Sequence, residues 1–76
     1  MNVNIKIPQI GDTEGPYEIE EWFVKNNSLV NEGDDLYSLE IGKAVNEIKA
    51  PCSGKLCILT LDGEVNPGDI IGIINS

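Results

Sequence analysis

Apolar and polar side chains alternate with a period of two along most of this chain, and nowhere with the 3.6-residue period of an amphipathic helix. Val3, Ile5 and Ile7 alternate with Asn4 and Lys6 and stop at Pro8, the pattern of a half-buried strand that runs into a loop. From Tyr17 to Lys25 aromatic and β-branched residues are dense, but the apolar alternation changes phase between Ile19 and Trp22. That shift predicts a strand carrying a bulge or bend. Further short strands are predicted around Leu36 to Glu40, Ala44 to Ala50, Lys55 to Leu61 and Ile70 to Ile74, separated by clusters of Gly, Asn, Asp and Pro. Short strands at regular spacing make a sandwich or a barrel.

An internal repeat sharpens the expectation. Val30-Asn31-Glu32-Gly33-Asp34 recurs as Val65-Asn66-Pro67-Gly68-Asp69, 35 positions on. At that offset Pro16 falls on Pro51, Val24 on Leu59, Leu36 on Ile71 and Leu39 on Ile74, so turns match turns and core positions match core positions. Neither half has enough apolar surface to fold alone, so the two should pack as two small antiparallel sheets around one core, related by a pseudo-two-fold. Gly33 and Gly68 read as backbone-turning glycines at positive φ. The joint between the halves lies near Gly42-Lys43, whose symmetry mates fall near or beyond the chain ends; a two-fold would put the ends together at one pole and this turn at the other. Glycine at the first central position of a two-residue loop suits a type II′ hairpin, with Lys43 at its exposed tip. Lys6, Lys25, Lys49 and Lys55 read as ordinary solubilising residues. Trp22, beside Phe23 and Val24, reads as a packing residue rather than a binding aromatic.

Composition narrows the function. The chain has 76 residues and 8.3 kDa, one small domain over 1–76. Thirteen acidic against five basic residues give a net charge of -8, which argues against nucleic acid as a partner. Histidine is absent, which removes the usual general base and the commonest metal ligand, so no catalytic residue and no metal site is assigned. Cys52 and Cys57 lack metal-site spacing, are too few for a disulfide framework, and read as small core residues in a reducing compartment. No apolar run is long enough to cross a membrane as a helix, and a cytoplasmic, monomeric domain is expected.

Several segments together resemble the lipoyl and biotinyl attachment domains. Ile5-Lys6-Ile7-Pro8-Gln9-Ile10-Gly11, Gly15, Glu21-Trp22-Phe23-Val24-Lys25 and Val30-Asn31-Glu32-Gly33-Asp34 look like the opening half of lipoyl domains from 2-oxoacid dehydrogenase acyltransferases. Glu40-Ile41-Gly42-Lys43-Ala44 stands in the place of that family's Glu-Thr-Asp-Lys-Ala hairpin, and Ala50-Pro51-Cys52-Ser53-Gly54 in that of its Ala-Pro-x-x-Gly turn. The resemblance implies a flattened barrel or sandwich hybrid of two small sheets. It also implies lipoate in amide linkage on Lys43, with Gly42 and Ala44 shaping the turn. The implied partners are a lipoate ligase or lipoyl transferase and the dehydrogenase and acyltransferase components of such a complex. By the same analogy the 9–16 loop lies near the lysine turn, and Gly11, Asp12, Thr13, Glu14 and Glu40 are candidates for partner recognition.

Departures from the family pattern leave alternatives open. Gly42 replaces the usual aspartate and Ile41 the usual threonine. In the family that aspartate is tied more to recognition by the acylating dehydrogenase than to attachment. Asn46-Glu47-Ile48 looks more like biotin carrier domains, yet Gly42 and Ala44 stand where those carry methionines. Lipoate on Lys43 is the first expectation, biotin the alternative, and an unmodified protein-contact module of the same fold the third.

Overall fold

The period-two segments become strands, and among the described residues none is helical. The computed structural model describes residues 1–12 and 16–76. Eight strands run in chain order: β1 (Asn2–Lys6), β2 (Tyr17–Trp22), β3 (Leu29–Val30), β4 (Asp35–Ile41), β5 (Ala44–Lys49), β6 (Gly54–Ile58), β7 (Gly63–Val65) and β8 (Ile70–Asn75). They form two four-stranded antiparallel sheets, ordered β1-β8-β6-β3 and β5-β4-β2-β7. The sheets do not close into one continuous barrel; the architecture is a flattened sandwich.

The two sheet orders superpose term by term, with β1 answering β5, β8 answering β4, β6 answering β2 and β3 answering β7. This is the pseudo-two-fold expected from the repeat. Its turns share the same main-chain and aspartate hydrogen bonds. The Asp34 amide donates to the Asn31 carbonyl and the Asp69 amide to the Asn66 carbonyl, each at 3.0 Å. The carboxylates of Asp34 and Asp69 accept from the Asn31 and Asn66 amides at 2.9 and 2.8 Å. Gly33 and Gly68, at φ 90° and 93°, turn the chain so that their amides reach the carbonyls of Ala50 and Ile7.

Those last contacts also correct the repeat alignment. Ala50-Pro51 occupies the place of Ile7-Pro8, so the mate of Pro51 is Pro8 and not Pro16. The amides of Phe23 and Leu59 donate to the equivalent carbonyls of Leu36 and Ile71, so Leu59 answers Phe23 and not Val24. A constant offset fails because the separation shrinks from 43 at Pro8/Pro51 to 36 at Phe23/Leu59 and 35 at Asn31/Asn66. The first half therefore carries extra residues before Phe23, one of them in β2, and one more between Phe23 and Asn31. Pairing with β4 slips between Ile19 and Glu21, the bulge predicted from the phase shift, and Glu20 is the inserted residue.

Inward alternation fills the space between the sheets with Tyr17, Ile19, Leu36, Leu39, Leu56, Ile71 and Ile74, all buried. Trp22 packs on this core, its ring 5.1 Å from that of Tyr37 and its indole N–H donating to the Thr60 carbonyl at 3.0 Å. The packing assignment holds for Trp22, whereas Phe23 stands 42% exposed because the chain leaves β2 there. Cys52 is half-buried against the core; Cys57 points out from β6 and is exposed, which corrects its reading as a core residue. Both thiols are free. Lys49 is ion-paired with Asp35 across β5 and β4, and the carboxylate raises its pKa.

Candidate functional site

The β4–β5 hairpin carries Lys43. Six cross-strand pairs from Asp35↔Lys49 to Ile41↔Ala44 fix its register, leaving Gly42 and Lys43 as a two-residue loop. Gly42 has φ 61° while Lys43 stays at negative φ, the sign pattern of the expected type II′ turn; type I′ requires both to be positive. A Cβ added at Gly42 would meet nothing within 4 Å, so its glycine identity answers to backbone conformation and not to crowding. Gly42, Lys43 and Ala44 are all exposed, and the Lys43 amine has neither a hydrogen bond nor an ion pair among the described residues. An amine so placed is free to enter another protein's active site and to carry a long substituent without disturbing the core.

Behind the tip the hairpin is rigid. Ile41 is buried and pairs with Tyr17 of β2, itself fully buried. The Tyr17 hydroxyl accepts from the side-chain amide of Gln9 and the backbone amide of Ile10, both at 3.2 Å. The start of the 9–16 loop is thereby tied to the strand that lies against the base of the lysine turn. Gly11 and Asp12 follow this anchor and are exposed, Gly11 accepting from Gln9 at 3.3 Å. Thr13 and Glu14 lie outside the described residues. Glu40, half-exposed, projects from the outer face of β4 opposite Val45 on one side and Glu18 on the other. The structure therefore joins the beginning of the loop to the hairpin through Tyr17, which sequence reasoning left out. Its signal was present in the first aromatic after Pro16, but nothing local distinguishes a tyrosine that ties a loop from one that fills a core.

The two-fold carries the lysine turn onto the junction of the chain ends. There the Met1 amino group donates to the Ser76 carbonyl at 2.7 Å and the Ser76 amide donates back to Met1 at 3.0 Å. Of two symmetry-related positions, one holds the exposed lysine and the other the termini. Among the described residues no group of three or more Cys, Asp or Glu is arranged to hold a metal ion.

Comparison with known proteins finds a family and several curated relatives. A family described as biotin-requiring enzymes matches residues 3–74. The chain is 36% identical over 69 residues to the lipoamide acyltransferase component of the branched-chain alpha-keto acid dehydrogenase complex of Pseudomonas putida, covering 91% of this chain and 15% of that protein. It is 40% identical over 62 residues to the dihydrolipoyllysine-residue acetyltransferase component of the pyruvate dehydrogenase complex of Bacillus subtilis, covering 82% and 14%. It is 32% identical over 77 aligned positions to the dihydrolipoyllysine-residue succinyltransferase component of the 2-oxoglutarate dehydrogenase complex of Rickettsia bellii, covering 99% and 19%. The chain thus spans under a fifth of the length of these curated relatives. No solved structure matches it.

Proposed function

The chain belongs to the biotinyl and lipoyl attachment family, and on that premise we propose that it is a swinging-arm carrier lipoylated on Lys43. It shuttles acyl groups between the active sites of a complex of the 2-oxoacid dehydrogenase type. The observation that carries this reading is the exposed, unpaired Lys43 amine at the tip of a hairpin whose base is locked into the core. The amine fits the cofactor, because amide formation with a carboxylic acid needs an accessible nitrogen and room for the chain beyond it.

Once attached, lipoate supplies a cyclic disulfide that can be opened and acylated on sulfur. What the protein supplies is position. The four-methylene stem of Lys43 extends the reach of the arm, and the absence of a side chain at Gly42 and the single methyl of Ala44 leave it free to rotate. The paired strands behind it keep the point of attachment fixed while the arm moves. Tethering replaces diffusion of a free intermediate with a high local concentration at each active site. On this reading the domain holds and presents the acyl group, and catalysis belongs to the enzymes it visits.

Biotin on the same lysine is the alternative, supported by Asn46-Glu47-Ile48. The names of the curated relatives, and Gly42 and Ala44 in place of methionines, weigh toward lipoate. Intact mass after exposure to a lipoate ligase with lipoate and, separately, to a biotin ligase with biotin tests both. One lipoyl increment, lost in Lys43→Arg, is the expected result. A biotin increment alone would move the protein to carboxyl transfer, and no increment in either reaction would leave a protein-contact module.

A further inference from the structure

The two sheets are related by symmetry but not by charge. The strands of the lysine-bearing sheet β5-β4-β2-β7 hold seven acidic side chains and one lysine, Lys49, which is already paired with Asp35. The strands of its mate, β1-β8-β6-β3, hold none, and carry Lys6 and Lys55. A charge distribution serving solubility alone would not distinguish two sheets that the two-fold makes equivalent.

Within the acidic sheet the carboxylates are aligned. Glu18 on β2 lies directly opposite Glu40 on β4 and directly opposite Glu64 on β7. Since Tyr17 and Ile19 point into the core, Glu18 and its two cross-strand partners stand on the outer face. Like charges directly opposite one another destabilise a sheet. None of the three has an ion-pair partner among the described residues. Beside this row lies a groove of about 400 Å³ lined by Glu18, Ile19, Glu20, Glu40, Asp62 and Gly63. The row runs on to Val45, next to Ala44, and so ends at the lysine turn.

We propose that the outer face of β4, β2 and β7, centred on Glu40, Glu18 and Glu64, is the docking surface for the enzyme that modifies Lys43. That enzyme meets it with arginine or lysine side chains, the long cationic stems entering the groove. The identity of the partner rests on the carrier reading; the face and its chemistry rest on the charge segregation. Docking on one flank makes the partner approach the hairpin from the acidic sheet and not from the one whose only charges are Lys6 and Lys55. Screening confines the attraction to about 10 Å at 0.1 M salt, so the face orients a partner already close to the turn.

The test is a charge transplant. In Glu18→Gln/Glu64→Gln, kcat/KM for lipoylation by a lipoate ligase should fall about tenfold at low salt and less than twofold at 0.5 M salt. Adding Asn2→Asp and Asn4→Asp on the outer face of β1 restores the net charge without restoring the row, and the rate should stay low. Recovery in the transplant, or no loss in the first variant, overturns the proposal. A second readout separates this from failure of the carrier reading: NMR amide shifts of the labelled wild-type domain titrated with a hexa-arginine peptide. Shifts confined to β2, β4 and β7 with no lipoyl increment on Lys43 would sink the carrier reading and keep the cation-binding face. Shifts spread equally over both sheets would sink the face whatever happens at Lys43.

Discussion

Tyr17 stands directly opposite Ile41, the last residue before the lysine turn, and its hydroxyl holds the start of the 9–16 loop through Gln9 and Ile10. One side chain thus spans the core, the hairpin base and the loop. Tyr17→Phe keeps the ring and removes the acceptor, leaving the Ile10 amide unpaired. A loss of about 1–2 kcal/mol in urea unfolding is expected, with faster hydrogen exchange at Ile10. Attachment at Lys43 should stay within twofold of wild type, because the turn itself is untouched. Unchanged exchange at Ile10 would show that the loop is held by other contacts.

Asp34 and Asp69 close equivalent turns, each through a carboxylate that accepts from the amide three residues earlier. Replacing either by alanine should cost about 1 kcal/mol. The two turns share no partner, so the double variant should lose about twice as much. Thermal unfolding reads all three. Costs that differ severalfold would mean that the two-fold is geometric but not energetic.

Tyr37 is fully buried, and its hydroxyl has no hydrogen-bond partner among the described residues. Burial pushes its pKa up from 10.0 to about 12. The folded state therefore holds the phenolic proton more tightly than the unfolded one. The associated stability is fully present below pH 10 and is lost as pH rises toward 12. Tyr37→Phe should raise stability at pH 7 by about 1 kcal/mol by removing a buried unpaired polar group. It should also flatten the decline above pH 10. Denaturant melts at pH 7, 10 and 11.5 compare the two proteins.

Gly42→Asp places the family's usual side chain beside Lys43. The space is open, but φ 61° is unfavourable for a residue with a Cβ, so a loss of about 1 kcal/mol is expected. Lipoylation should be unchanged, while reductive acylation by a conventional dehydrogenase component should rise severalfold, read by mass on the loaded domain. Equal acylation of both proteins would show that this position does not select the dehydrogenase.

Much of the fold was legible because its signals are local. Alternation located six strands, the phase slip between Ile19 and Trp22 located the bulge, and the repeated pentapeptide disclosed the two-fold. Strands β3 and β7 were not, being only two and three residues long and dictated by pairing with β6 and β2 rather than by any pattern of their own. The predicted strand from Lys55 to Leu61 ends at Ile58, after which the chain turns toward the other sheet and leaves Leu59 and Leu61 exposed. At the candidate site, Lys43 stood out through symmetry and resemblance. The grouping of Glu18, Glu40 and Glu64 did not, since residues so far apart in sequence become neighbours only through strand register.

Met1 and Ser76 are joined by reciprocal main-chain hydrogen bonds at the position that symmetry relates to the lysine turn. In engineering terms the domain is a cassette. A short peptide bridge between its ends would close it into a ring, and splicing it into a surface loop of a host protein would ask that host to separate its own backbone by no more than one strand spacing. In either arrangement both junctions lie where the pseudo-symmetry places them, and the amine of Lys43 is left as the unobstructed point of the graft.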